Sequence, residues 1–272
     1  TVALCLLILT LGGCSRIQLG YEYADWFIAR QMSRTLDLDR QQRLEVQNAL
    51  AAYREQHRLE RLPRLLALLD RFEALLAAPD AAGTVALLAA GEQEFRDTLG
   101  ELLPLLAETM RTLSDEQIDH FRQELLEGRT EYLERTPAVR EARALERTED
   151  WTGRLRPGQR QLIAACALSP GIRSDDWLRW REATEVNLLT LLEIDAPPAR
   201  IERALRDWLI DDAALPDERR QERQRVRAIW HGCVSMLLAS LDTRQRERIV
   251  RRLDGYRDDV LGLLPDGLQP AG

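Results

Sequence analysis

Leu241-Asp242-Thr243-Arg244-Gln245 opens the segment that decides the fold, because Ile249, Leu253, Tyr256, Val260 and Leu264 follow it at steps of three or four. That spacing places one apolar stripe on one side of an α-helix. The opening residues explain why the helix starts there. An aspartate carboxylate accepts from the free amides of the first turn, and a glutamine three residues on reaches back to the cap's own amide. Immediately upstream, Val226, Ile229, Trp230, Cys233 and Leu237 step toward Leu241 with the same period. Two helices thus flank one short turn.

The same start recurs. Leu38-Asp39-Arg40-Gln41-Gln42 precedes Val46, Leu50 and Tyr53, and Leu113-Ser114-Asp115-Glu116-Gln117 precedes Ile118. A weaker copy, Leu155-Arg156-Pro157-Gly158-Gln159, carries proline at a position that suits the first turn of a helix. No segment alternates convincingly with a period of two. The chain is therefore expected to be all-α, a multi-helix bundle. Leu38 and Leu113 lie 75 residues apart, and Leu155 and Leu241 lie 86 apart. Each interval holds one Leu-rich element, Pro63 to Leu76 in the first and Trp177 to Leu192 in the second. This suggests two duplicated helical units, 38–135 and 155–264, with Pro137 to Gly153 connecting them. Further breaks are expected at Pro79-Asp80, Ser169-Pro170-Gly171, Pro197-Pro198 and Leu215-Pro216. Residues 265–272 read as a disordered tail.

Composition narrows the function classes. Apolar residues make up 45% and charged residues 31%, enough to bury a core. The net charge of −7 speaks against bulk nucleic-acid binding. All 38 basic residues are arginine, so a Walker-type phosphate loop and a lysine nucleophile are excluded. Between Pro216 and Arg257 there are 11 arginines against 6 acidic residues. Arg219, Arg220, Arg223 and Arg227 lie near one helix face there. Such a face suits an anionic partner through bidentate contacts, or is a solvated face laced by Glu–Arg pairs.

The N-terminal stretch addresses location. An apolar run from Val2 to Leu11 ends in Leu11-Gly12-Gly13-Cys14. Its length of about ten residues is half of the roughly 20 needed to span a bilayer, and fits a signal h-region. Leu11, Gly12, Gly13 and Cys14 resemble a bacterial lipobox. The resemblance implies a signal peptide over 1–13, cut before Cys14, and acyl chains, palmitate among them, on Cys14. Ser15 rather than aspartate after the cysteine implies sorting to the outer membrane. Residues 14–20 are expected to be a tether and 21–264 the helical domain. Tyr21, Tyr23, Trp26 and Phe27 follow closely. They either graze the membrane interface or, the preferred reading, pack into the core of a first helix.

Cys5 falls in the leader and Cys14 in the lipobox, which leaves Cys166 and Cys233. In an oxidising envelope these are either a disulfide or two thiols packed as small apolar groups.

No catalytic constellation stands out. Three histidines occur, His57, His120 and His231, without a zinc-protease or nucleophile-elbow motif. Glu116, His120 and Glu124 share a helix face at spacings of four, a common arrangement on solvated faces. His231 and Cys233 stand two apart, where helical side chains diverge. No catalytic residue, metal or cofactor is expected.

The lipobox, Leu19-Gly20-Tyr21 with Trp26, Leu38-Asp39, and Trp230-His231-Gly232-Cys233 before Leu241-Asp242-Thr243 resemble an uncharacterised family of proteobacterial all-helical lipoproteins. That resemblance covers nearly the whole chain and implies no activity. The helix starts also resemble those of periplasmic chaperones that bear a Leu-Thr-x-x-Gln motif, although this chain is longer, is expected to be lipid-anchored, and has aspartate or serine where threonine is usual there. The expectation is a lipid-anchored, periplasm-facing protein of the outer membrane. It binds an envelope protein or an anionic partner as an adaptor and is not an enzyme. The alternative is an ATP-independent holdase.

Overall fold

The computed structural model describes residues 16–134, 136–169, 175–211 and 215–265. These form twelve helices with no strand among the described residues. They are α1 (Arg16–Glu22), α2 (Ala24–Leu36), α3 (Arg40–Glu60), α4 (Leu62–Ala77), α5 (Ala81–Arg111) and α6 (Asp115–Glu134). The second half gives α7 (Pro137–Thr152), α8 (Pro157–Ala167), α9 (Asp175–Glu193), α10 (Pro198–Leu209), α11 (Asp217–Ser240) and α12 (Thr243–Leu263).

The four Leu-x-x-x-Gln starts meet in two pairs. Gln42, at the start of α3, and Gln117, at the start of α6, donate to each other's Oε1 at 3.2 and 2.8 Å. Gln159, at the start of α8, and Gln245, at the start of α12, do the same at 2.9 and 3.0 Å. Each amide nitrogen also donates to the carbonyl five residues before its partner: Thr112, Asp37, Ser240 and Arg154 respectively. Each Oε1 also accepts from the amide of its own N-cap residue, Asp39, Ser114, Arg156 or Asp242. The side-chain amides therefore leave no donor or acceptor unused, which is what burial of such a pair demands. Asp39, Ser114 and Asp242 complete the box by accepting from the Gln backbone amide. Arg156 has no acceptor, so its start keeps only the reciprocal half.

The helices around each pair pack in the same order. Helix α2 packs on α3 and α6, and α3 on α5; α7 packs on α8 and α12, and α8 on α11. In this correspondence α7 is the counterpart of α2, so residues 137–152 belong inside the second unit and do not connect the two. The two Leu-rich elements also correspond, and each crosses over. Helix α4, from the first half, packs on α12, and α9, from the second, packs on α6. The main core accordingly joins Val46, Leu103, Met110 and Phe121 of the first half to Leu188, Ile201 and Leu205 of the second. A second core joins Leu76 of α4 to Leu238, Ile249 and Leu253. Neither half closes its core alone, so the halves are expected to fold together.

The long helix α5 is the spine, packed by α10 and α11. It contains Pro104, which removes one helical amide and crowds the carbonyl of Gly100 four residues back. Arg206 and Ile210 come down over Gly100, at ordinary contact distance from where a Cβ would stand.

The expected boundary between tether and body shifts, and one further break appears. Helix α1 begins at Arg16, so residues 16–20 are helix and not tether. The helical body therefore already includes them, ahead of the expected start at 21. A further break falls at Arg61, between α3 and α4, without glycine; Pro63 at the second position of α4 marks it.

Candidate binding surfaces

Tyr21 ties α1 to the body. Its hydroxyl donates to the Arg54 carbonyl at 3.2 Å and lies 3.1 Å from His57 Nδ1, and its ring joins Leu62, Val260 and Leu263. Burial raises its pKa to about 12. Arg58 pairs with Glu22 at 2.7 Å and Arg54 with Asp25 at 3.1 Å. On the other side Gln18 Nε2 reaches the Asp259 carbonyl at 3.4 Å. This helix is therefore fastened to both α3 and α12.

Burial lowers the pKa of His57, so the fold favours its neutral ring. Unfolded, the ring takes up a proton as pH falls through about 6.5, while the folded ring resists. Stability is therefore full above that pH, falls below it, and levels off beneath the lowered folded value. The expected result is a denaturation midpoint that drops between pH 7.5 and 5.5 by more in the wild type than in His57→Gln. Parallel curves for the two proteins would contradict this role.

The outward side of α1 and α2 is different. Tyr23, Trp26 and Phe27 do not pack into the core, contrary to the preferred sequence reading; they are 58, 44 and 56% exposed, and Leu19 is 47% exposed. Ala29 and Leu36, on the opposite side, make the core contacts. The aromatic residues follow Leu19 at helical spacing and share its outward side.

At the α3–α4 corner, Arg61 is nearly enclosed by Glu94, Asp97 and Glu101, with Tyr53 donating to Glu101 at 2.8 Å. The Arg61 hydrogen bond holds Glu101 below the usual carboxylate range. Burial, then Glu101, pushes Tyr53 up. Arg61, Asp97 and Glu101 wall one side of an open cleft of about 460 Å³ that reaches Arg206 and Asp211. They also fix the α3–α4 corner to α5. Periodicity gave no sign of this network, because its members are spread over α3, the α3–α4 corner and α5.

A larger groove of about 710 Å³ runs between the end of α4 and the start of α12. Leu76, Ala77 and Val250 give it apolar walls, and Glu73, Asp242, Arg246, Glu247 and Arg251 ring it with both signs of charge. Arg246 donates to the Leu76 carbonyl at 2.8 Å and so holds the two helix ends together.

The remaining sequence candidates fall as follows. Leu11, Gly12, Gly13 and Cys14 lie outside the described residues, as do residues 266–272 of the expected tail. Cys166 on α8 and Cys233 on α11 are joined in a disulfide, which removes Cys233 as a nucleophile. His231 instead meets Glu92 at 3.1 Å. Arg227 pairs with the same Glu92 at 3.0 Å, and Arg220 pairs with Asp217 one turn away. At those two positions the arginine face is engaged within the fold. Arg219 and Arg223, half-buried and exposed respectively, stand beside them on α11. His120 Nε2 lies 2.9 Å from the Arg34 carbonyl, and Glu116 and Glu124 form no metal-holding group with it; none occurs among the described residues. No described helix is long and apolar enough to cross a membrane.

Among family models, one described as a family of unknown function (DUF6279) matches residues 34–220. This span holds three of the four glutamine starts, with Gln245 beyond it. No curated protein matches the chain. No solved structure matches it either.

Proposed function

The chain belongs to the DUF6279 family of unknown function, and from that footing we propose that it is a lipid-anchored envelope protein that acts by binding. In this reading acyl chains on Cys14 hold it to the outer membrane, the helical body faces the periplasm, and it serves as a non-catalytic adaptor for another envelope component. The observation that carries the reading is that Arg16, two residues after Cys14, already lies in α1, a helix fastened to α3 and α12. Two residues span at most about 7 Å. A bilayer that holds Cys14 therefore holds the bundle directly against itself, without a long linker. The Cys166–Cys233 bond supports the oxidising compartment that the lipobox implies.

The groove between α4 and α12 is the best-formed surface for the partner. Its apolar walls and mixed charged rim suit a protein segment better than a small polar substrate. The holdase alternative draws on exposed Phe95, Leu133, Val186 and Met236. These stand on four different helices, and scattered apolar side chains are ordinary on a protein surface.

Metabolic labelling with a palmitate analogue, followed by membrane fractionation, tests the anchor. The wild type is expected to carry label in the outer-membrane fraction, and Cys14→Ser is expected to lose both. A wild-type protein that stays unlabelled would overturn the anchored reading. For the adaptor role, a photocrosslinker at Val250 in intact envelopes is expected to recover one protein, lost on Arg251→Glu. Suppression of client aggregation by the purified protein, with no such crosslink, would favour the holdase.

A further inference from the structure

We infer that the outward side of α1 and α2 is a membrane-docking face that lies in the interface of the phospholipid bilayer. This rests on the anchored reading above and adds a second, non-covalent contact to it. The backbone ladder runs through the junction of the two helices, with Tyr23 N donating to Leu19 O at 3.1 Å and Phe27 N to Tyr23 O at 3.0 Å. Counted at 100° per residue, Leu19, Tyr23, Trp26, Phe27, Arg30 and Arg34 fall within an arc of about 100°. All six are exposed. Trp26 and Phe27 pack edge to face with centroids 5.0 Å apart, and the Arg30 guanidinium stands 5.5 Å from the Trp26 ring.

Three features choose a lipid surface as the occupant. The first is position. Leu19 is five residues from Cys14, so the apolar end of the stripe lies next to the expected acyl chains. The second is composition. Tyrosine and tryptophan carry an apolar body with a polar tip and settle at the headgroup level, where the apolar face of a surface helix sinks about 5–10 Å. The third is charge. The acidic residues of this segment, Glu22 and Asp25, lie off the arc and are held by Arg58 and Arg54. Among the side chains described, the charged residues of the arc are Arg30 and Arg34, which suit anionic headgroups. Two or more acyl chains already give stable attachment, so what this face adds is orientation. With α1 fastened to α3 and α12, docking this face sets the tilt of the whole bundle.

The test uses full-length protein purified from cell envelopes and reconstituted into vesicles of phosphatidylethanolamine with phosphatidylglycerol. Intact mass reports the acyl chains on Cys14. Tryptophan emission is then recorded in vesicles containing lipid brominated near the headgroup or near the chain ends. The Trp26 component is the difference between wild type and Trp26→Phe. The expected result is loss of that component with shallow bromine and little loss with deep bromine. Tyr23→Ser/Phe27→Ser, which retains Trp26, is expected to restore its emission while the acyl mass and the helical circular dichroism stay unchanged. An acylated wild type whose Trp26 component is not quenched overturns the docking face and leaves the anchor standing. The same holds if Trp26 is shielded by a second copy or by another protein. A wild type without acyl mass overturns the anchored reading, and this inference with it.

Discussion

Replacing both Cys166 and Cys233 by alanine is expected to lower the unfolding free energy by about 4 kcal/mol. The bond ties α8 to α11 across 67 residues of chain. Its loss frees a long loop in the unfolded ensemble, and chain-entropy bookkeeping for that loop size gives the figure. Both cysteines are also buried, so alanine leaves small voids that add to the cost. The segment closed by the bond includes α9 and α10, which fill the main core of the first half. Loosening the second half should therefore weaken the first as well, and unfolding should remain one transition. In urea, with a slope of about 3 kcal/mol per molar, the midpoint should fall by somewhat more than 1 M. Adding reductant to the wild type should reproduce the shift, and should have no further effect on the double variant. A wild type whose midpoint ignores reductant would show that the link does not form or does not constrain the fold.

The fold was legible because its helices announce their own starts. Leu38, Leu113 and Leu241 each precede a capping residue and a glutamine, and each opens a helix where the pattern places it. Proline marked the break at Pro79, the pair at 197–198, and Pro216 for the same local reason. What periodicity cannot carry is which starts face each other. Capping is an arrangement within four residues, whereas the pairing of Gln42 with Gln117 depends on how α2 and α5 arrive at the junction. The crossing of α4 onto α12 and of α9 onto α6 is equally invisible, because an apolar stripe does not name its partner. Tyr23, Trp26 and Phe27 show the limit from the other side. Aromatic residues on an amphipathic helix read as core, and only the side that Ala29 and Leu36 take in the fold leaves them exposed. The Arg61 network was hidden because surface-like charges close in sequence to core residues look like any solvated face.

Gln245→Ala is expected to cost about 3 kcal/mol, far more than an ordinary helix-cap change of about 1 kcal/mol. The side chain is 4% exposed and makes four hydrogen bonds. Truncation leaves the Asp242 amide and the Arg154 carbonyl without their partner, and each orphaned buried group costs about 1–3 kcal/mol. It also strips one bond from each end of the Gln159 amide. Some of that loss is recovered when water enters beside the partly exposed cap, which holds the total near the lower end of the sum. Gln159→Ala should cost a similar amount, and the double variant much less than the two added, with a coupling of about 1–2 kcal/mol. Gln42→Ala should cost less than Gln245→Ala, because Gln42 is only half-buried and water can replace its bonds. Additive effects at Gln159 and Gln245 in a double-mutant denaturation cycle would mean that the two starts act as separate caps. Strong coupling at both junctions would instead make the paired glutamines the element that fixes how the helix starts of each half meet. It would also explain why a cap motif recurs four times in a chain whose helices need only one residue each to begin.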